Sequence, residues 1–221
     1  MGRPKQISPE QVTDQSMNHL KWVAPLTAYV TVAAGILLAR SAWGALLAFH
    51  IVIIASLILA KPDIPPSSLL LSKDKKWITL SILLCGSSGI SLYFLRSTFG
   101  IAQDFSAQIQ SIGLSSSTWP IFIAYFSLIN PFVEEYFWRG YLGSPARGFH
   151  IYDAVYAGYH GFLLIGKVPP SSIIFGFALL TLVGWFWRQV TRQDEGLFAS
   201  VLGHMAADFS ILMALYRMSS S

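Results

Sequence analysis

The chain has 221 residues, of which 53% are hydrophobic and 12% charged, and a mean hydropathy of +0.53. About a quarter of a typical globular chain is charged, so a fold of this length could not face water all round, and Phe 15, Tyr 9 and Trp 7 exclude a disordered coil. The net charge of +4 is carried too sparsely for a phosphate-tracking surface, so no nucleic-acid partner is expected; the remaining class is an all-α, polytopic integral membrane protein whose first partner is the lipid bilayer.

Residues 1–20 are polar, contain Pro4 and Pro9, and read as a cytoplasmic N-terminal tail with no cleavable leader. Apolar runs long enough to cross hydrocarbon then extend from Trp22 to Ala39, Trp43 to Ala60 and Trp77 to Leu95. Each opens on a tryptophan, which suits the lipid–water boundary. Residues 21–96 thus form a three-span accessory region. His50, alone on the second run, is expected to be neutral and hydrogen-bonded within the bundle. Cys85, the single cysteine, reads as a small packing residue and precludes an intrachain disulfide. The loops are marked by Asp63-Ile64-Pro65-Pro66 and Lys73-Asp74-Lys75-Lys76. Residues 97–118 are polar with scattered apolar positions, and read as a loop or an interfacial helix.

Residues 119–217 hold the remaining runs: Trp119 to Leu142, Tyr152 to Ile165, Ser171 to Trp187 and Leu197 to Tyr216. Pro169-Pro170 opens the third of these where a helix tolerates proline. The count is about seven spans, or about six if Tyr152 to Ile165 does not cross completely. Alternating the loops puts Arg3, Lys5, Lys21, Lys61, Lys73, Lys75, Lys76, Arg147, Arg188 and Arg192 on one side. Only Arg40, Arg96, Lys167 and Arg217 fall on the other. That bias places the N-terminus in the cytoplasm.

An ionisable residue at membrane depth costs about 2.5–3.5 kcal/mol on insertion scales and marks a functional site by default. Here such residues cluster late in the chain: Glu134, Glu135, Arg139, His160, His204 and Asp208. Glu134, His160 and His204 each lie roughly eight residues, or about 12 Å, from the cytoplasmic end of their span. Glu135 and Arg139 are four apart in the favourable order for an ion pair, while Glu134 is turned from Glu135 by about 100°. The spacing therefore pairs Glu135 with Arg139 and leaves Glu134 free for chemistry. Tyr156 and His160, and His204 and Asp208, each share one helical face.

These residues resemble a known family. Glu134-Glu135-Tyr136-Phe137-Trp138-Arg139 matches the EExxxR motif of the CPBP (Abi) family, which includes the type II CAAX prenyl endopeptidases. Tyr156-Ala157-Gly158-Tyr159-His160 approximates that family's FxxxH, and His204-Met205-Ala206-Ala207-Asp208 its HxxxN/D. The resemblance covers roughly Trp119 to Tyr216. It implies an intramembrane endopeptidase that hydrolyses a peptide bond of a membrane-associated protein or peptide, prenylated or otherwise lipid-anchored. In that scheme Glu134 and His160 activate water, while His204 and Asp208 address the oxyanion, with Glu135, Arg139 and Tyr156 in support. Asp208 stands where the prenyl proteases carry Asn, and an ionised Asp donates no hydrogen bond, so it must be protonated or act by orienting His204.

No cofactor is favoured. A zinc-dependent variant, with His160, His204 and Glu134 as ligands, is the alternative mechanism. Two non-enzymatic readings stand beside it: a membrane scaffold or immunity-type protein that keeps the polar core for packing, and, more weakly, a proton-coupled transporter. His150 and Arg147 read as solvated loop residues. The expected location is a prokaryotic plasma membrane, with the site toward the cytoplasm; nothing in the sequence fixes the oligomeric state.

Overall fold

A computed structural model describes residues 9–101 and 104–220, with side chains described from His19 onward. Among the described residues every regular element is helical. Helix α1 (Pro9–Ala33) continues into a π-helical turn, Ala34–Leu38. It is followed by α2 (Ala42–Ala60), a 3₁₀ turn (Pro66–Leu70), α3 (Lys75–Gly86), α4 (Ser88–Phe94) and α5 (Phe105–Gln110). Next come α6 (Trp119–Glu135), which passes into a π-helical segment (Tyr136–Tyr141), then α7 (Ile151–Gly158), α8 (Gly161–Leu164), α9 (Pro170–Asp194) and α10 (Phe198–Ser220).

Five stretches are long and apolar enough to cross a membrane: His19–Leu38, Ala42–Ala60, Lys75–Phe94, Pro170–Asp194 and Phe198–Ser219. They coincide with five of the expected runs. The run from Trp119 to Leu142 is helical as far as Tyr141 and carries Glu134, Glu135 and Arg139 in its second half. The run from Tyr152 to Ile165 is broken at Tyr159 and His160, between α7 and α8. The polar stretch at residues 9–20 forms the first turns of α1; residues 1–8 lie outside the described residues. In the 97–118 segment, α5 buries Phe105 and Ile109 against Trp119, Phe122 and Leu212.

Local signals set the helix ends. Ser41 Oγ accepts the Gly44 N–H at 3.0 Å at the start of α2, and Asp74 accepts the Lys76 N–H at 2.9 Å at the start of α3. His150 and Asp153 form a reciprocal capping box at the start of α7, so His150 is a cap rather than a solvated loop residue.

Helix α10 lies between α3–α4 on one side and α6 on the other, while α7 packs on α9 and α1 on α2. The close approach of α4 to α10 needs Gly89, because a Cβ there would overlap the backbone of Ser210. Outward-facing Leu26, Ile51, Leu59, Leu83, Ile90 and Ile174 are exposed, as lipid-facing residues should be.

Contacts sort the loops into two ends. At one, Tyr152 reaches the Lys21 carbonyl, Tyr136 the Ile64 carbonyl, and the Lys73 N–H the Asp194 carboxylate. At the other, Ser172 reaches the Phe99 carbonyl and Ser106 the Ser219 carbonyl. The lysine-rich loops gather at the first end, and Arg40, Arg96, Lys167 and Arg217 belong to the second. Arg188 is not a free loop charge. It is buried, pairs with Asp153 at 2.8 and 2.7 Å, and donates to the carbonyls of Ser144, Ala146 and Gly148.

Candidate active site

The site is built on α6 and its π-helical extension. Pro131 has no N–H to bond the Ser127 carbonyl, and the helix widens into π geometry from Tyr136, a distortion frequent at functional sites. Consecutive helical residues diverge by about 100°, so Glu134 and Glu135 meet different neighbours.

Glu135, fully buried, takes Arg139 Nη1 at 3.0 Å and His204 Nδ1 at 2.7 Å on the same oxygen, Oε1. The expected Glu135–Arg139 pair is therefore formed, with His204 of α10 as a third member. The Arg139 guanidinium lies 4.1 Å from the Tyr156 ring centroid and 5.0 Å from that of Trp187. Trp187 in turn stacks on His204 at 4.5 Å. Tyr156 is thus a buried ring packed against Arg139. Glu135 Oε2 and Arg139 Nη2 are buried without a hydrogen-bond partner among the described residues.

Glu134 does not stand free. Its Oε2 accepts the Tyr159 hydroxyl at 2.6 Å. Tyr159 also stacks between Trp138, at 5.9 Å, and His160, at 4.1 Å. His160 Nδ1 donates to the Tyr156 carbonyl at 3.1 Å, which leaves Nε2 as the acceptor of a neutral ring. Among the described residues Glu134 and His160 share no hydrogen bond; the Tyr159 ring links them. His160 sits where the chain leaves α7, at a break in the helix.

The other nitrogen of His204, Nε2, faces Asp208 Oδ1 at 3.5 Å. With a carboxylate at each nitrogen, the ring holds both N–H donors, so His204 is an imidazolium between Glu135 and Asp208. Asp208 Oδ2 accepts from Asn130 Nδ2 at 3.3 Å. Asn130 Oδ1 lies 3.1 Å from His50 Nε2, and His50 Nδ1 lies 3.1 Å from the Tyr125 hydroxyl. His50 is hydrogen-bonded within the bundle, as expected, but its partners join it to the site.

Sequence reasoning missed Asn130 and Tyr159. A signal existed for Asn130: it lies four residues before Glu134, on the same helical face of an otherwise apolar run. Tyr159 carried none, since a tyrosine beside a histidine is unremarkable in an aromatic-rich segment.

Among the described residues no three His, Cys, Asp or Glu side chains are arranged to hold a metal ion. His204, one of the three zinc ligands considered, has a carboxylate oxygen near each ring nitrogen, at 2.7 and 3.5 Å. A hollow of about 210 Å³ at the lysine-rich end is lined by Arg139, Gly140, Ser144, Arg188, Thr191 and Arg192. It brings that end to the edge of the site.

No curated protein and no solved structure gives a significant match to the chain. Residues 116–210 match the Rce1-like family model, described as type II CAAX prenyl endopeptidase Rce1-like. The match covers somewhat less than half of the chain, yet it contains Asn130, Glu134, Glu135, Arg139, Tyr159, His160, His204 and Asp208. This segment, which supplies the three motifs and nearly all of the buried polar cluster, carries the chain's resemblance to the CPBP family of intramembrane proteases.

Proposed function

We propose that the protein is an intramembrane endopeptidase that hydrolyses a peptide bond of a membrane-associated, prenylated or otherwise lipid-anchored protein. The observation that carries this reading is the convergence of Glu134, Glu135, Arg139, His204 and Asp208, with Tyr159 and His160, from α6, the α7–α8 break and α10 into one buried cluster. In the proposed mechanism Glu134 takes the proton of an attacking water, with the free Nε2 of His160 as the second acceptor, and Glu134 then returns the proton to the leaving amine. The Tyr159 hydroxyl orients the Glu134 carboxylate. His204, aligned by Glu135 and Asp208, offers its Nε2–H to the oxyanion; the long 3.5 Å approach to Asp208 leaves that donor room to be shared. Asp208 acts through His204 and needs no proton of its own.

The chain passes between the two ends of the bundle about seven times in this reading, with the N-terminus and the lysine-rich end in the cytoplasm. Substrate enters from that end, beside the hollow at Arg139.

One observation favours the scaffold reading: both carboxylates of the EExxxR motif already have protein partners. Turnover separates the two. Detergent-purified protein is incubated with a prenylated peptide and with its unprenylated counterpart, before and after chelation. The protease reading expects cleavage that survives chelators and falls by about a hundredfold or more in Glu134→Gln. Activity that returns only with added metal moves the mechanism to the zinc variant. No cleavage of either peptide by correctly folded protein favours the scaffold.

A further inference from the structure

Helix α2 carries none of the residues of the three motifs and lies outside the segment that matches the family model. We propose that it nevertheless completes the site, with His50 and Asn130 as positioning residues that fix Asp208 and, through it, the His204 ring. The proposal rests on the protease reading only for what His204 then does.

The argument is one of donors and acceptors. Asn130 Oδ1, an acceptor only, lies against His50 Nε2, so Nε2 carries the hydrogen, and in a neutral ring Nδ1 then accepts from the Tyr125 hydroxyl at 3.1 Å. Nε2–H then donates to Asn130 Oδ1 at 3.1 Å. The Asp208 carboxylate, which only accepts, fixes which way the Asn130 amide is turned. With Oδ1 held by His50, Nδ2 points at Asp208 and donates to Oδ2 at 3.3 Å. Turned the other way, the amide would set its oxygen against the Asp208 carboxylate. Asp208, an acceptor only, then presents its remaining oxygen to His204 Nε2. From α2 onward every donor thus points toward Asp208, and from there the line continues to His204, Glu135 and Arg139.

Packing alone does not account for these residues. His50 and Asn130 are 3% and 0% exposed, at positions where a leucine would avoid the cost of burying polar groups. That cost is offset only because each polar group meets a partner of the right kind.

The test uses full-length protein in detergent, with histidine ¹⁵N labelling and the His204 resonances assigned from His204→Gln. His50→Leu and Asn130→Leu are expected to move the His204 ring signals. They should also lower kcat by about tenfold or more with KM within about twofold. His50→Gln, whose amide can still donate to Asn130, should keep both near wild type. Should a leucine variant fail to fold, Asn130→Ala carries the same test, because it removes the donor to Asp208 without adding bulk. His204 signals unchanged in folded His50→Leu, Asn130→Leu or Asn130→Ala overturn the proposal. Signals that move in a protein with no turnover refute the protease reading and leave the coupling standing.

Discussion

Replacing Glu135 by alanine should unfold the protein far more readily than replacing its neighbour Glu134. Glu135 is fully buried and is the partner of two cationic donors, Arg139 at 3.0 Å and His204 at 2.7 Å. Removing it leaves both without a counter-charge at that oxygen, and breaking a buried pair costs about 3–5 kcal/mol. The rings of Tyr156 and Trp187 beside Arg139 do not offset that loss, because they contribute equally before the substitution. Against a total stability of about 5–15 kcal/mol the cost is more than half at the low end. Glu134→Ala strands only the Tyr159 hydroxyl, for about 1–3 kcal/mol. Denaturant unfolding of detergent-purified protein, followed by circular dichroism, measures the difference. The double variant Glu135→Gln/Arg139→Met, which removes the orphaned cation while keeping the volume, should recover a substantial part of the loss. Glu135→Ala and Glu134→Ala within about 1 kcal/mol of each other, well below the cost of a broken buried pair, would refute the division of roles between the two carboxylates.

Other substitutions probe the packing and the loops. Gly89→Ala pushes a methyl group into the Ser210 backbone and should cost about 1–3 kcal/mol. Gly86→Ala, where a Cβ would meet Ala206 at an ordinary 3.6 Å, should be neutral or stabilising in the same unfolding assay. Asp194→Ala strands the backbone N–H groups of Lys73 and Asp74, now held at 2.9 and 2.8 Å. The loss of about 2 kcal/mol or more should show as faster proteolysis of the 61–74 loop. The Lys76 ammonium and backbone N–H hold the Asp74 carboxyl below the usual carboxylate range. A depressed pKa contributes stability present above the unfolded-state value and lost as pH falls through the folded one. Its contribution should therefore disappear only below about pH 4, and the unfolding midpoint of Asp74→Asn should lack that acid dependence.

Long apolar runs were legible because hydrocarbon imposes them: five of the expected spans reappear with ends shifted by a few residues. The Glu135–Arg139 pair was legible because both partners sit on one helix at a fixed offset. What the sequence could not show is what faces what across helices. Nothing local pairs Tyr159 with Glu134, 25 positions apart, or His50 with Asn130, 80 apart. Arg188 was misread as a loop charge for the same reason, since its partner Asp153 lies on another helix. The break at Tyr159–His160 was only partly legible: no Pro marks it, though Gly158 and Gly161 flank it and the run was short for a span.

The placement of the Glu135–Arg139 pair within α6 and its π extension bears on how the chain is made. A charge that had to wait in lipid for a partner on a later helix would oppose insertion. Here the two opposite charges enter together, already four residues apart, so α6 carries its own neutralisation through the translocation machinery. The unmatched remainder, Glu134, gains Tyr159 only when the α7–α8 segment arrives, and His204 reaches Glu135 only with the last helix. Synthesis thus delivers the polar core in instalments: a chain halted before Phe198 would hold Glu135 with Arg139 and Glu134 with Tyr159, and would lack His204 and Asp208.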